Sequence, residues 1–269
     1  VREAARLIQA AGRTVVTDAA TAHLAGLKTP QGANASDLTD RVELLIVFGG
    51  DGTLLRIARD IAGSNTPILG INAGGLGFLT DVQAHQMPLA LEQIWAGQTL
   101  LTSRSLIEAS GSAQGRAVRF AALNDFVISR GTAPQLVELE VSVDREILTR
   151  YRCDGLIVCS PTGSTAYSLS AGGAIVSPSA DVFALTPICP HTLSNRSVIV
   201  SLKSTVQVKV LSQQVDTVLS ADGQDPTPLA FGDMIAIRRS RRSIRLLHLA
   251  GSSFFDTLRR KLSWRGANV

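Results

Sequence analysis

The segment that most narrows the possible folds is residues 42–48, VELLIVF, which run directly into Gly49-Gly50-Asp51-Gly52-Thr53 and then into LLRIARDIA. A run of apolar and β-branched residues that does not alternate with polar ones predicts a strand buried on both faces, as in a parallel sheet. A second run, residues 67–71, ends in another glycine turn, Asn72-Ala73-Gly74-Gly75-Leu76-Gly77. Strand, turn and helix in repetition imply a parallel α/β layer. Residues 1–11 read as a helix, 14–16 as a short strand and 32–37 as a loop. The chain opens at Val1 inside that helical pattern, so a preceding segment, including a first strand, is expected to be missing.

The pattern changes near Leu101. Strands are expected at 104–109, 117–123, 126–130, 137–143, 155–159, 197–200, 205–210, 217–221 and 234–237, interrupted by an Ala/Ser/Gly segment at 166–171. Arg238-Arg239-Ser240-Arg241-Arg242, between MIAI and IRLLHL, reads as a solvated hairpin turn; with no interleaved aromatics to stack bases, it does not argue for nucleic acid. Residues 253–264 return to helical spacing, with Phe254, Phe255, Leu258 and Leu262 on one stripe and a capping box from Ser253 to Asp256. The expected fold class is therefore α/β plus β-rich. A Rossmann-like parallel α/β domain spans 1–101, a β-sandwich-like domain 102–249, and a tail at 250–269 carries a helix packing back on the first domain.

Composition bounds the chemistry. Aromatics are only 4% of 269 residues against 45% hydrophobic, so the core must be built from Ala, Val, Ile and Leu. A net charge of +4 suits an anionic substrate and is too small to imply nucleic acid. Cys153, Cys159 and Cys189 have neither disulfide-like nor zinc-like spacing and read as reduced thiols of a cytoplasmic protein. No apolar run approaches the roughly 20 residues of a membrane span, and no signal peptide is visible.

Glycines between a buried strand and a helix let the backbone approach a phosphate and aim N–H groups at it, reinforced by the helix dipole. Asp51 is out of place in a loop built only to bind anions. It makes sense if it accepts a proton from an attacking hydroxyl or holds Mg²⁺. The loop lacks the lysine of a P-loop, and an ordinary tight βα turn is the bland alternative. Residues 163–170 combine small side chains with hydroxyls, and Tyr167 offers a flat face; a small-residue packing crossover would look the same. Asn124-Asp125, between two apolar runs, reads alone as a hairpin turn or bulge. Arg152 and Asp154 flank Cys153 and should share a face, as a surface ion pair would. Arg56 suits either a phosphate or a solvated helix face, and Asp222-Gly223 is a hairpin-turn signal. Cys189 and His191 are too few for structural zinc; His191 reads as a packed residue near a subunit contact, while His23, His85 and His248 look incidental.

GGDGT is shared by NAD kinases, diacylglycerol and sphingosine kinases and ATP-dependent phosphofructokinases. The remaining motifs resemble the NAD kinases in particular: residues 72–79 (NAGGLGFL), Leu123-Asn124-Asp125, residues 151–177 (YRCDGLIVCSPTGSTAYSLSAGGAIVS), residues 188–193 (ICPHTL) and Ala221-Asp222-Gly223-Gln224. The resemblance covers roughly 42–260 and implies a kinase that phosphorylates the 2′-hydroxyl of the adenosine ribose of NAD to make NADP. Asp51 would be the general base, with metal ligation or substrate orientation as its alternative role. Gly49, Gly50, Thr53, Gly74, Gly75 and Gly77 would form the phosphate loops. Asn124 would bind polar groups of NAD, Asp125 a ribose hydroxyl (the family often has Glu there) and Asp154 the nicotinamide amide end. Gly52, Arg56, Phe78, Arg152, Thr162, Thr165, Ala166, Tyr167, Ser168, Leu169, Ser170 and Gln224 complete the implied nucleotide-binding set. Mg²⁺ would arrive on the phosphates of ATP or of another donor such as polyphosphate, NAD being substrate. The family also implies a homodimer or homotetramer. A lipid or sugar kinase of the same superfamily, or a non-catalytic dinucleotide sensor, are the alternatives.

Overall fold

A computed structural model describes residues 1–75, 77–80, 82–132, 134–192, 196–213 and 215–264. Leu76 of the second glycine turn, Leu193 of the ICPHTL motif and the last five residues of the expected tail lie outside the described residues. The chain divides into two compact units, residues 1–104 with 243–269, and residues 105–242. Two long strands, Thr99–Ala113 and Met234–Leu249, carry the chain from one unit to the other.

In the first unit, Pro67–Asn72 is the central strand. Leu45–Phe48 pairs with it in parallel along one edge; Val82–Gln83 and residues 245–246 do so along the other. Leu69 and Ile71 pack with Ala4 of the helix Arg2–Ala10 and with Met87, Ala90 and Leu91 of the helix Met87–Trp95. The helix Asp51–Asp60 buries Leu54, Leu55 and Ala58. It comes so close to the central strand that a β-carbon on Gly70 would stand 2.9 Å from Leu54 Cδ1. Helices therefore flank a parallel sheet, as the two uninterrupted apolar runs require.

The second unit holds a six-stranded antiparallel sheet in the order Val198–Ser201, Val182–Ile188, Gly155–Cys159, Asp125–Arg130, Thr217–Ala221, Thr227–Leu229. A second layer contains Glu146–Cys153, Val137–Val143, Val206–Val210 and residues 234–237 in antiparallel pairing. Phe126, Ile128, Leu156, Val158 and Phe183 of the first layer meet Leu139, Val141, Val206, Val208 and Ile235 of the second in one core, which is the sandwich arrangement. The outer face of Gly155–Cys159 is covered as well: Ile157 and Cys159 cluster with Val176 and Ala184. This strand, buried throughout, anchors the segment after it.

Several expectations change. The strand expected at 14–16 lies instead at Thr17–Asp18, because Asp18 caps the next helix by accepting from Thr21 N at 2.9 Å and Thr21 Oγ1 at 2.6 Å. The loop expected at 32–37 contains the start of the helix Ala35–Thr39, whose cap Asn34 accepts from Asp37 N at 3.0 Å. The arginine run is no hairpin turn. It lies within the strand Met234–Leu249, where Ile235, Ile237, Ser240, Ile244 and Leu246 are buried. Arg238 pairs with Glu108 and Arg239 with Asp181. The capping box at Ser253 does not form, since Asp256 pairs with Arg259 instead.

Burial pushes the Cys153 and Cys159 thiols up to about 12, whereas Cys189 is exposed. Titration of the native protein with a thiol-specific disulfide reagent is expected to label Cys189 quickly, with the other two reacting only after denaturation. Rapid native labelling of all three would contradict the buried placement of that pair.

Candidate active site

In the first unit the GGDGT turn is organised by Asp51, the first residue of its helix, where a carboxylate is favoured by the helix dipole. Asp51 Oδ1 accepts from Leu79 N (3.1 Å), Thr80 N (3.1 Å) and Thr80 Oγ1 (2.9 Å), while Oδ2 accepts, among the described residues, from Phe78 N alone (2.8 Å). Thr80, fully buried, also accepts from Asn72 Nδ2 at 2.7 Å, and Asn72 Oδ1 receives Gly74 N at 2.7 Å. The two glycine turns are thus fastened to each other through Asn72, Thr80 and Asp51. Oδ1 is saturated and Oδ2 keeps acceptor capacity, so Oδ2 is the atom able to take a hydroxyl proton.

The glycines divide into two kinds. A β-carbon on Gly77 would run into Asp51 Oδ1 and Thr80 Oγ1, and one on Gly49 would stand 2.6 Å from Thr53 Oγ1, so packing explains these two. Gly50, Gly52 and Gly75 have nothing within 4 Å of such a carbon and do not adopt positive φ. Neither packing nor backbone conformation requires glycine there, and the backbone at these positions is open to close approach. Gly74 and Gly75 are exposed, as is Arg56 on the helix. Phe78 is half-buried, with Lys261 Nζ 5.4 Å from its ring centroid.

In the second unit, Asn124 and Asp125 are 9% and 4% exposed, yet among the described residues no hydrogen bond reaches either side chain. Neither side chain is among the fully buried polar atoms without a partner, so both keep solvent access and donor or acceptor capacity for another group. Burial, and then the neighbouring Asp222 carboxylate, raises the Asp125 carboxyl to about 7. Cys159 stands directly across the sheet from Asp125.

The turn Thr162–Thr165 docks onto the same segment. Ser160 N donates to Asn124 O at 2.8 Å, Ser160 Oγ to Leu123 O at 2.5 Å, and Gly163 N to Ser160 Oγ at 3.2 Å. A β-carbon on Gly163 would collide with the Asn124 carbonyl oxygen. Thr162, Thr165, Ala166 and Leu169 are half-buried; Tyr167, Ser170 and Gln224 are exposed. Ser168 is fully buried, its hydroxyl 2.9 Å from Thr186 Oγ1, so that side chain faces the protein interior.

Arg152 and Asp154 do not pair with each other: Arg152 Nε lies 3.9 Å from Glu138 Oε1, and Asp154 accepts from Arg130 Nε at 2.7 Å. Asp154 precedes Gly155, at the end of that strand opposite Cys159 and Asp125, about 17 Å away at 3.4 Å per residue. Within this chain it is not brought to the Asn124–Asp125 pair. Thr80, Ser160 and Asp222 have roles that local sequence did not announce; Ser160 and Asp222 stood in motifs singled out beforehand, but neither was named as a site residue, and Asp222 reads there as a turn residue.

The profile of the ATP-NAD kinase N-terminal domain matches residues 3–99, and that of the ATP-NAD kinase C-terminal domain matches residues 123–249. The chain belongs to the NAD kinase family. An NAD kinase of Symbiobacterium thermophilum is 44% identical over 260 residues, covering 95% of this chain and 90% of the relative. One of Thiobacillus denitrificans is 41% identical, covering 98% and 91%. Among solved structures, yeast NADH kinase complexed with NADH superposes with a TM-score of 0.88 at 28% identity, covering 100% of this chain and 85% of that one. The NAD kinase of Archaeoglobus fulgidus in complex with ATP gives 0.73 at 25% identity, covering 94% and 99%. Both the Asp51 loop and the Asn124–Asp125 pair fall inside the matched NAD kinase domains.

Proposed function

We propose that this chain makes NADP from NAD by moving a phosphoryl group from ATP to the 2′-hydroxyl of the adenosine ribose, with Asp51 Oδ2 accepting the hydroxyl proton. The observation that carries this reading is the pair of glycine turns around Asp51. They expose glycines whose backbone is open to close approach, and the carboxylate they fix keeps acceptor capacity on one oxygen. Backbone N–H groups of Gly50, Gly52 and Gly75 are suited to phosphate oxygens, whereas that of Gly74 is taken by Asn72 Oδ1. Asn124 and Asp125 are suited to the polar edge and hydroxyls of NAD, since an ionised carboxylate accepts readily from two ribose hydroxyls. Proton acceptance by a placed base is worth about 10²–10⁴-fold, and positioning supplies most of the rest.

The described residues contain no cluster of three His, Cys, Asp or Glu side chains, and Asp51 is already engaged by donors from residues 78–80. The described residues do not by themselves fit a protein-held metal. The divalent ion is better assigned to the donor phosphates, whose charge it neutralises. Free cysteines support a reducing, cytoplasmic setting, and no helix among the described residues is long and apolar enough to cross a membrane. The resemblance to NAD kinases supports self-association into a homodimer or homotetramer, which light scattering would read.

Gly77→Ala tests the loop. Its methyl group would displace Asp51 from Thr80, so NADP formation should fall at least about tenfold, with a stability loss of about 1–3 kcal/mol. Unchanged turnover would show that the clamp on Asp51 has no part in catalysis.

A further inference from the structure

Asp222 and Gly223 form a turn after the strand Thr217–Ala221, and Asp222 sits in the left-handed region at φ 48. Its Oδ1 accepts from Asn124 N at 2.7 Å and Asp125 N at 3.2 Å, and its Oδ2 from Leu123 N at 2.9 Å. Its own N–H donates to Asp125 O at 3.0 Å. Three consecutive backbone N–H groups thus converge on one carboxylate, and the returning bond closes the ring. A plain turn needs no carboxylate. This one places a negative charge beside the buried Asp125 side chain, an arrangement unfavourable to the ligand-free protein. Such a cost at a ligand-facing segment points to function.

We propose that Asp222 is a positioning residue for the dinucleotide: by fastening the N–H groups of Leu123, Asn124 and Asp125 it fixes the direction in which the Asn124 and Asp125 side chains meet the ribose. This rests on the reading that Asn124 and Asp125 hold NAD. Among the described residues, two titratable groups face Asp125: Asp222 from the turn, and Cys159 from the neighbouring strand, whose thiol burial keeps neutral through the working pH range.

The test uses two variants of the full chain. Asp222→Gly retains the left-handed turn and removes the carboxylate. Asp222→Asn, also at ease in that conformation, keeps the acceptor for Asn124 and Asp125 and removes the charge. Asp222→Gly should raise KM for NAD at least about tenfold and KM for ATP by less than about twofold. Asp222→Asn should raise KM for NAD by less, and should move the midpoint of its pH dependence downward, because a like charge beside Asp125 is gone. A merely structural Asp222 would lower the melting temperature and leave KM for NAD unchanged or change KM for both substrates alike. The proposal is overturned if KM for NAD is unchanged in Asp222→Gly, if KM for both substrates changes alike, or if the midpoint stays fixed in Asp222→Asn. Asp125→Asn run in parallel separates the two claims. An unchanged KM for NAD in that variant removes the underlying reading of Asp125; a raised KM there with normal Asp222 variants removes only the role of Asp222.

Discussion

Asp51→Asn is expected to lower the turnover of NAD to NADP by at least about a hundredfold while leaving the fold and NAD binding in place. The geometry explains why asparagine is a fair test. Three donors converge on Oδ1 and one on Oδ2, so the amide oxygen takes the three-donor side and the NH₂ falls where Oδ2 stood. The loop then keeps its main anchor and loses the bond from Phe78 N, a cost of about 1–3 kcal/mol if that N–H finds no other partner. The one oxygen with spare acceptor capacity has become a donor. Steady-state kinetics with a thermal melt and an NAD titration separate the effects. Near-normal turnover would remove Asp51 as base, and loss of NAD binding would reassign it to substrate orientation.

Asp125→Asn should move stability and substrate affinity in opposite directions. Burial and the Asp222 carboxylate raise the Asp125 carboxyl from 3.8 to about 7. The native state therefore holds a proton that the unfolded chain releases, and stability falls as pH rises from about 4 through about 7, staying at its lower level above that. At 1.36 kcal/mol per pH unit, the ionised side chain costs up to about 4 kcal/mol at pH 8. A neutral asparagine avoids this, so the variant should melt higher than the wild type at pH 8, and by less at pH 5. Ribose hydroxyls lose their ionised acceptor, a contribution of about 1.5–3 kcal/mol, so KM for NAD should rise at least about tenfold. A variant that melts lower at pH 8 and retains its KM would make Asp125 a structural residue.

Much of this was legible because it is local. The run at 42–48, ending in glycines and followed by an Ala/Leu/Arg segment, could only be strand, turn and helix. The strands Val137–Val143, Gly155–Cys159 and Thr217–Ala221 lie where apolar alternation or continuity places them. Other features depend on distant parts of the chain. The strand Glu146–Cys153 escaped notice because its hairpin turns at Asp144 and Arg145, both at positive φ, with no glycine to mark it. The arginine run mimics a turn because its charges are matched by Glu108 and Asp181, far away in sequence.

The site divides the same way. The types of Asp51, Asn124 and Asp125 stand in the sequence, but their partners do not. Asp51 is held by N–H groups 27 to 29 residues on, and Asp222 reaches back 97 to 99 residues. That Ser168 turns inward to Thr186, while Tyr167 and Ser170 face solvent, follows from packing that a string of small residues does not encode. The raised Asp125 carboxyl likewise comes from burial, which no motif spells out.

The most direct test of the whole reading follows label from ATP, radioactive at its terminal phosphate, into NAD with the purified chain and Mg²⁺. An NADP-specific dehydrogenase then identifies the product. Labelled product that this dehydrogenase accepts is the expected result, since only a 2′-phosphate on the adenosine ribose satisfies it. A folded chain that binds NAD yet transfers no label, from ATP or from polyphosphate, would contradict it and leave a dinucleotide-binding protein without kinase activity.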